Sequence, residues 1–339
     1  MTAEPQAPTA PATPARKPRV IVTRRLLPAT QARMQDLFDV QLNADDRPFS
    51  REDLAAAIRA CDVLVPAVTD SVDAELIADA GERLKLIAQF GAGTDNIDLA
   101  AAHARKIIVT NTPGVFTDDT ADLTLALIIF VARRFAESAQ VLAQGAWEGW
   151  GPTNLLGQNL GGKQLGIVGM GRIGQAVARR ARAFGLEIVY HNRNRLPAEF
   201  ETELGVRYEA DLEALFAQAD ILTLHCPALP NGEPLLDRRR LMLMKRGALL
   251  INTGRGQLVE EEALIAVLRD GHLGGAGLDV FANEPQLDPR LLALPNVLVL
   301  PHLGSATREG REAAGERVIA NIRFWVDGHR PPDRVLPPL

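Results

Sequence analysis

The sequence predicts an α/β protein built from two doubly wound parallel sheets, on three observations. Short apolar runs alternate with helical patterns along most of the chain, as strands buried on both faces do. The alternation falls into two series, separated by a turn signal at Asn111-Thr112-Pro113-Gly114 and a long helical stretch. A glycine pattern, Gly169-Met170-Gly171-Arg172-Ile173-Gly174, sits between an apolar run and a helix early in the second series.

The elements follow in order. Residues 1–18 are rich in Pro, Ala and Thr and lack an apolar core, so they are expected to be a disordered tail. A transit peptide is disfavoured by Glu4 and the scarcity of Arg. Strands are expected at 19–23, 40–42, 63–66, 86–89 and 107–110. Helices are expected at Arg51–Ala60, capped by Ser50, and at 73–80. One helix is expected over 117–144. The second series places strands at 165–168, Glu187–His191, 221–226, 248–253, 277–280 and 297–300, with a helix at 175–184. Arg308–Val326 reads as a helix and the Pro-rich end as extended chain. The first series lacks a covering helix, which the C-terminal helix can supply. One domain is therefore expected from 19–113 with 304–339, a second from 114–303, and a cleft between them.

Bulk properties narrow the class. The 339 residues suit two domains, and 47% hydrophobic content is enough for sizeable cores. A net charge of −5 argues against nucleic acid or an anionic membrane as partner. Residues 123–132 form the longest apolar stretch, too short to span a bilayer. Cys61 and Cys226 are far apart and form no metal or disulfide pattern, which fits a reducing cytoplasm; no catalytic metal is expected.

The glycine loop points to a dinucleotide. Gly169 permits a tight turn, Gly171 lets backbone approach a pyrophosphate, and Gly174 allows close helix–strand packing. The following helix would present its positive end to the phosphates. The next strand ends at Tyr190-His191-Asn192-Arg193-Asn194-Arg195, with no carboxylate before Glu199. An NAD enzyme places an acidic residue there for the ribose hydroxyls, whereas arginines pair with a 2′-phosphate. NADP(H) is therefore expected in preference to NAD(H), with Asn192, Arg193 and Arg195 as contacts. The alternative is that these arginines form an ordinary solvated turn.

Three polar residues follow strands of the second series, where ligands bind in open parallel sheets. Arg255 lies in Asn252-Thr253-Gly254-Arg255-Gly256, Glu284 in Asp279-Val280-Phe281-Ala282-Asn283-Glu284-Pro285, and His302 in Pro301-His302-Leu303-Gly304-Ser305. Each alone has a plain explanation, a surface charge or a capped turn. Together with Phe90-Gly91-Ala92-Gly93-Thr94-Asp95-Asn96-Ile97-Asp98 and Asn111-Thr112-Pro113-Gly114-Val115, they make the chain from Arg19 onward resemble the D-isomer-specific 2-hydroxyacid dehydrogenase family.

The resemblance implies a Rossmann-type cofactor domain and a flavodoxin-like substrate domain. It implies that Arg255 binds the substrate carboxylate and carbonyl, that His302 is the acid/base, and that Glu284 orients His302. Backbone amides around Ala92 and Gly93 would hold the carboxylate. Cofactor contacts would come from Arg172 and Ile173 at the pyrophosphate, from Cys226 and Pro227 on the adenosine side, and from Thr253, Gly254, Asp279, His302 and Gly304 near the nicotinamide, with Thr120 a further candidate. Cys226 reads equally as a small buried apolar residue. The residue types suit the chemistry: reduction of a 2-oxo acid needs a hydride, a proton donor titrating near neutrality, and a cation forked onto the carboxylate.

Within the family the chain is most similar to the glyoxylate/hydroxypyruvate reductase branch, through its Tyr-His-Asn-Arg strand end, the segment Thr117-Asp118-Asp119-Thr120-Ala121-Asp122 and the closing Asp327-Gly328-His329-Arg330-Pro331-Pro332. The implied partner is a 2-oxo or 2-hydroxy acid, and the implied assembly a homodimer through the cofactor domain. Trp147 and Trp150 follow the long helix that pairs subunits in the family; Trp150 is expected either to limit substrate size or to pack the interface. Phosphoglycerate or phosphite oxidation, and a nucleotide-sensing corepressor that binds without much catalysis, stay open as alternatives.

Overall fold

The computed structural model describes residues 16–229 and 231–337. Most of the expected N-terminal tail lies outside them. Pro18 is already placed, with its carbonyl accepting the Asp39 N–H at 3.1 Å.

Along the chain the first elements are β1 (Arg19–Val22), α1 (Pro28–Leu37), β2 (Asp39–Gln41), α2 (Arg51–Ala60), β3 (Val63–Val65), α3 (Ala74–Ala78), β4 (Leu86–Ala88), α4 (Leu99–Ala104) and β5 (Ile108–Thr110). Then come α5 (Thr117–Ala132), α6 (Phe135–Ala143), β6 (Gln164–Val168), α7 (Arg172–Ala183), β7 (Glu187–His191), α8 (Ala198–Leu204), β8 (Val206–Tyr208), α9 (Leu212–Gln218) and β9 (Ile221–Leu224). The rest are α10 (Arg238–Leu243), β10 (Leu249–Asn252), α11 (Glu261–Arg269), β11 (Gly275–Leu278), α12 (Pro289–Leu292), β12 (Val297–Val299), α13 (Arg308–Val326) and β13 (Arg334–Val335).

The described residues form two compact units, one from those up to Val115 together with those from Arg308 onward, and one from Phe116–Thr307. The sheet of the first unit runs β13-β5-β4-β3-β1-β2, parallel except for β13. Its five parallel strands follow the flavodoxin-like order. Within this unit α13 packs on α1 and β4. Leu64, Ile87 and Val109 from three strands meet Leu54, Ile58 and Leu76 from the helices in its core. Helix α2 starts where the sequence signals it, because Ser50 and Asp53 form a reciprocal capping box.

The second unit holds a seven-stranded sheet, β12-β11-β10-β9-β6-β7-β8, with every pairing parallel. Its central strands β9, β10 and β11 are buried along their whole length because both faces are covered. Along β9 and β10, Leu222 and Leu250 enter one core layer while Ile221, Leu249 and Ile251 enter the other, the alternation a pleated strand imposes. The order reverses between β6 and β9, which puts a crevice at the carboxyl ends of these two strands.

The single helix expected over 117–144 is two helices. Arg134 adopts a left-handed conformation, φ 53°, and the Ala132 carbonyl accepts the Gln158 N–H at 2.7 Å in place of the next helical turn. The helix after the glycine loop starts at Arg172, earlier than the expected 175. Among the described residues no helix is long and apolar enough to cross a membrane.

Candidate active site

The three loop glycines are required for different reasons. Gly169 has φ 100°, and a Cβ there would stand 2.5 Å from the His225 carbonyl carbon on the neighbouring strand end. A Cβ on Gly174 would stand 2.2 Å from the Gly169 oxygen, so the first turn of α7 lies directly against the loop. A Cβ on Gly171 would meet nothing within 4 Å. That open side is where backbone can approach a ligand. Gly171 caps α7 without a side-chain hydrogen bond, so the helix offers its first N–H groups to an anion. This cradle could hold a dinucleotide pyrophosphate, and the amides of Arg172 and Ile173, the donors expected there, open the helix.

The turn after β7 is more crowded than expected. Asn192 Oδ1 accepts the Met170 N–H at 2.7 Å, so this side chain braces the glycine loop. Arg195 is held by Glu201, Nε to Oε1 at 2.8 Å and Nη2 to Oε2 at 2.7 Å, and its guanidinium lies over the Tyr208 ring. Two of the three side chains expected to meet the adenosine end are thus engaged within the protein. Arg193 is exposed and has no ion pair or side-chain hydrogen bond among the described residues. Its charge is felt by the Cys226 thiol at the end of β9, although burial dominates there and pushes that thiol up to about 11. Sequence reasoning missed Glu201, because it stands on a later helix rather than at the strand end.

His225, beside Cys226 and Pro227, was also missed. Its N–H donates to Val168, tying β9 to β6, and its Nε2 lies 3.0 Å from Thr223 Oγ1. Burial drives its pKa down to about 3, so the ring is neutral near neutral pH.

At the end of β10, Asn252 wraps the following turn: its Nδ2 donates to the Arg255 carbonyl at 2.9 Å and its Oδ1 accepts the Gly254 N–H at 3.0 Å. Arg255 Nη1 donates to the Gly254 carbonyl at 2.7 Å. A Cβ on Gly256 would fall 1.9 Å from the Phe281 carbonyl carbon, so the Arg255 turn lies directly on the segment leading to Glu284. The Thr253 and Thr124 hydroxyls are 2.9 Å apart. Thr124 also donates to the Thr120 carbonyl at 2.7 Å, which leaves Thr253 as the donor between the two hydroxyls.

His302 and Glu284 come together. His302 Nδ1 is 2.8 Å from Glu284 Oε2, and Glu284 Oε1 accepts the Phe281 N–H at 3.0 Å. Burial pushes the Glu284 carboxyl up, but the bonds from His302 and Phe281 and the nearby Arg255 charge outweigh it and hold it below its ordinary value. An ionised carboxylate only accepts, so Nδ1 carries the proton and Nε2 is the nitrogen left to exchange one.

Two expected nicotinamide contacts have other partners. Asp279 is fully buried, and its oxygens accept the Leu303 N–H at 2.6 Å and the Gly304 N–H at 2.8 Å. Thr120 Oγ1 donates to the Gly304 carbonyl at 2.8 Å. Both side chains fix the turn that carries His302, which itself has φ 55°. Burial raises the Asp279 carboxyl above its ordinary value despite the two N–H bonds.

In the first unit, Ala92 and Gly93 follow β4. Their carbonyls are taken, Ala92 by Asn111 Nδ2 at 2.7 Å and Gly93 by Gln89 Nε2 at 3.2 Å. Trp147 and Trp150 lie in the second unit and are 61% and 87% exposed. Among the described residues no group of three or more His, Cys, Asp or Glu could hold a metal ion.

Comparison with known proteins matches residues 125–304 to the model of the D-isomer specific 2-hydroxyacid dehydrogenase, NAD binding domain. The chain is 44% identical to a glyoxylate reductase of Thermococcus litoralis over 94% of its own length and 97% of that protein. A structure from Thermus thermophilus superposes with a TM-score of 0.86 at 45% identity, covering 94% of this chain and all of that one. An NADPH-dependent glyoxylate/hydroxypyruvate reductase from Sinorhizobium meliloti, in complex with NADP and malonate, gives 0.83 at 33% identity, covering 94% of this chain and 97% of that one.

Proposed function

Because this chain belongs to the D-isomer specific 2-hydroxyacid dehydrogenase family, we propose that it reduces the small 2-oxo acids glyoxylate and hydroxypyruvate to glycolate and D-glycerate. The observation that carries the proposal is the His302–Glu284 bond of 2.8 Å, which turns Nδ1 onto a carboxylate and leaves Nε2 for proton exchange. A nicotinamide, when bound at the glycine loop, would supply the hydride for the carbonyl carbon. His302 delivers the proton to the carbonyl oxygen through Nε2. Arg255 forks onto the substrate carboxylate and polarises the carbonyl beside it. Glu284 holds the imidazole in place through Nδ1. The amides of Ala92 and Gly93 are carried over from the family resemblance as carboxylate donors.

NADP(H) is the preferred cofactor in this reading. Its support is Arg193, exposed and unpaired among the described residues, and the lack of a carboxylate between the strand end and Glu199. The Sinorhizobium meliloti reductase named above, a relative at 33% identity, is NADPH-dependent. A homodimer through the second unit and a cytoplasmic setting complete the proposal. Helix α6 buries none of its residues, and Leu142, Trp147 and Trp150 stand exposed on and just after it. A panel of 2-oxo acids assayed with NADPH and NADH tests the function. Turnover of glyoxylate and hydroxypyruvate is expected, and cofactor binding without turnover of any 2-oxo acid points instead to a nucleotide-sensing protein.

A further inference from the structure

We infer that Glu201 sets how strongly this site discriminates a 2′-phosphate, by holding Arg195 so that Arg193 is the discriminating cation. This rests on the reading above, in which the 192–195 turn meets the adenosine end of the cofactor.

The turn between β7 and α8 is closed by one polar cluster. Tyr190 and Glu201 are 0% and 8% exposed. The Tyr190 hydroxyl donates to Glu201 Oε1 at 2.7 Å and accepts the Leu196 N–H at 2.9 Å, so it joins the strand end, the far side of the turn and the helix. Arg195 occupies both Glu201 oxygens from the other side and covers Tyr208 at 5.4 Å. A fork–fork pair of this kind satisfies the donors a phosphate would otherwise take. It also cancels the Arg195 charge locally, because the anion sits against the guanidinium. Arg193, between the two anchored ends, keeps its charge unpaired among the described residues. A 2′-phosphate approaching the turn therefore meets one net positive charge in a stretch that carries two arginines.

Removing the Glu201 charge releases the second. Glu201→Gln keeps an oxygen to accept from Tyr190 but no longer binds Arg195 as an ion pair. The test is titration calorimetry of the full chain with adenosine 2′,5′-bisphosphate and with 5′-AMP, on wild type, Glu201→Gln, Arg195→Ala, the double variant and Arg193→Ala. The preference for the bisphosphate is expected to rise about fivefold or more in Glu201→Gln and to fall back in the double variant. Arg195→Ala alone should leave the preference within about twofold of wild type, while Arg193→Ala should cut it about tenfold. An unchanged or lower preference in Glu201→Gln overturns the inference. So does loss of the preference in Arg195→Ala, an arm that stands even if Glu201→Gln fails to fold. If wild type shows no preference and Arg193→Ala changes nothing, the NADP(H) reading falls, and the response to Glu201→Gln still decides the role of Glu201.

Discussion

At the scale of the residue, His302 is held where its own backbone preference would not place it. A left-handed φ of 55° is uncommon for a side-chain-bearing residue, and the two N–H groups that follow are fixed by Asp279. Asp279→Ala is therefore expected to lower kcat about tenfold or more through misplacement of the imidazole, with the cofactor still bound. Normal kcat in a folded variant would contradict that role. His302→Ala should lower kcat by about a hundredfold or more with an unchanged circular dichroism spectrum. Glu201 makes a pH prediction. Arg195 and Tyr190 hold its carboxyl at about 2, below the ordinary 4.5. Its contribution to stability is thus fully present above pH 4.5 and is lost as the pH falls through about 2. The melting temperature of wild type should exceed that of Glu201→Gln at neutral pH, and the gap should narrow on acidification below 4.5. A gap independent of pH would sink the assignment. Arg255, Glu284 and His302 could be singled out because each follows a strand in a recognisable segment, and the structure brings His302 and Glu284 within 2.8 Å of each other. The anchoring work of Asp279 and Thr120 was not legible, because it depends on which backbone groups the fold brings to them.

At the scale of the element, the glycine loop separates two kinds of constraint. Gly174→Ala forces a Cβ against the Gly169 carbonyl and is expected to cost about 1–3 kcal/mol of stability, read as a lower denaturation midpoint. Gly171→Ala points its methyl into open space, so the fold should melt as wild type while dinucleotide affinity drops about tenfold or more. Equal effects of the two substitutions on stability would contradict the separation. Most strands could be read as short apolar runs because both sheet faces are buried. Strand β8 could not: Val206, Arg207 and Tyr208 lie at a sheet edge and none is fully buried. Nor could the break after α5, since the hydrogen bond that ends the helix comes from Gln158, far along the chain.

At the scale of the whole molecule, two α/β units share one chain, and the C-terminal helix belongs with the first strands. The need for that helix was visible as a missing cover on the first series. The exposed apolar surface of α6 and the segment after it predicts self-association. Sedimentation should give twice the 36.7 kDa chain mass, and Leu142→Asp should shift the protein toward monomer. A monomeric wild type at micromolar concentration would reject the dimer.

The most direct measurement is the steady-state oxidation of NADPH and of NADH by the purified protein with glyoxylate and with hydroxypyruvate, with the chirality of the glycerate formed. The account predicts turnover of both acids, D-glycerate as the product, a higher kcat/KM with NADPH, and loss of turnover in His302→Ala. Folded, cofactor-binding protein that turns over neither acid, or a His302→Ala variant as active as wild type, would contradict it.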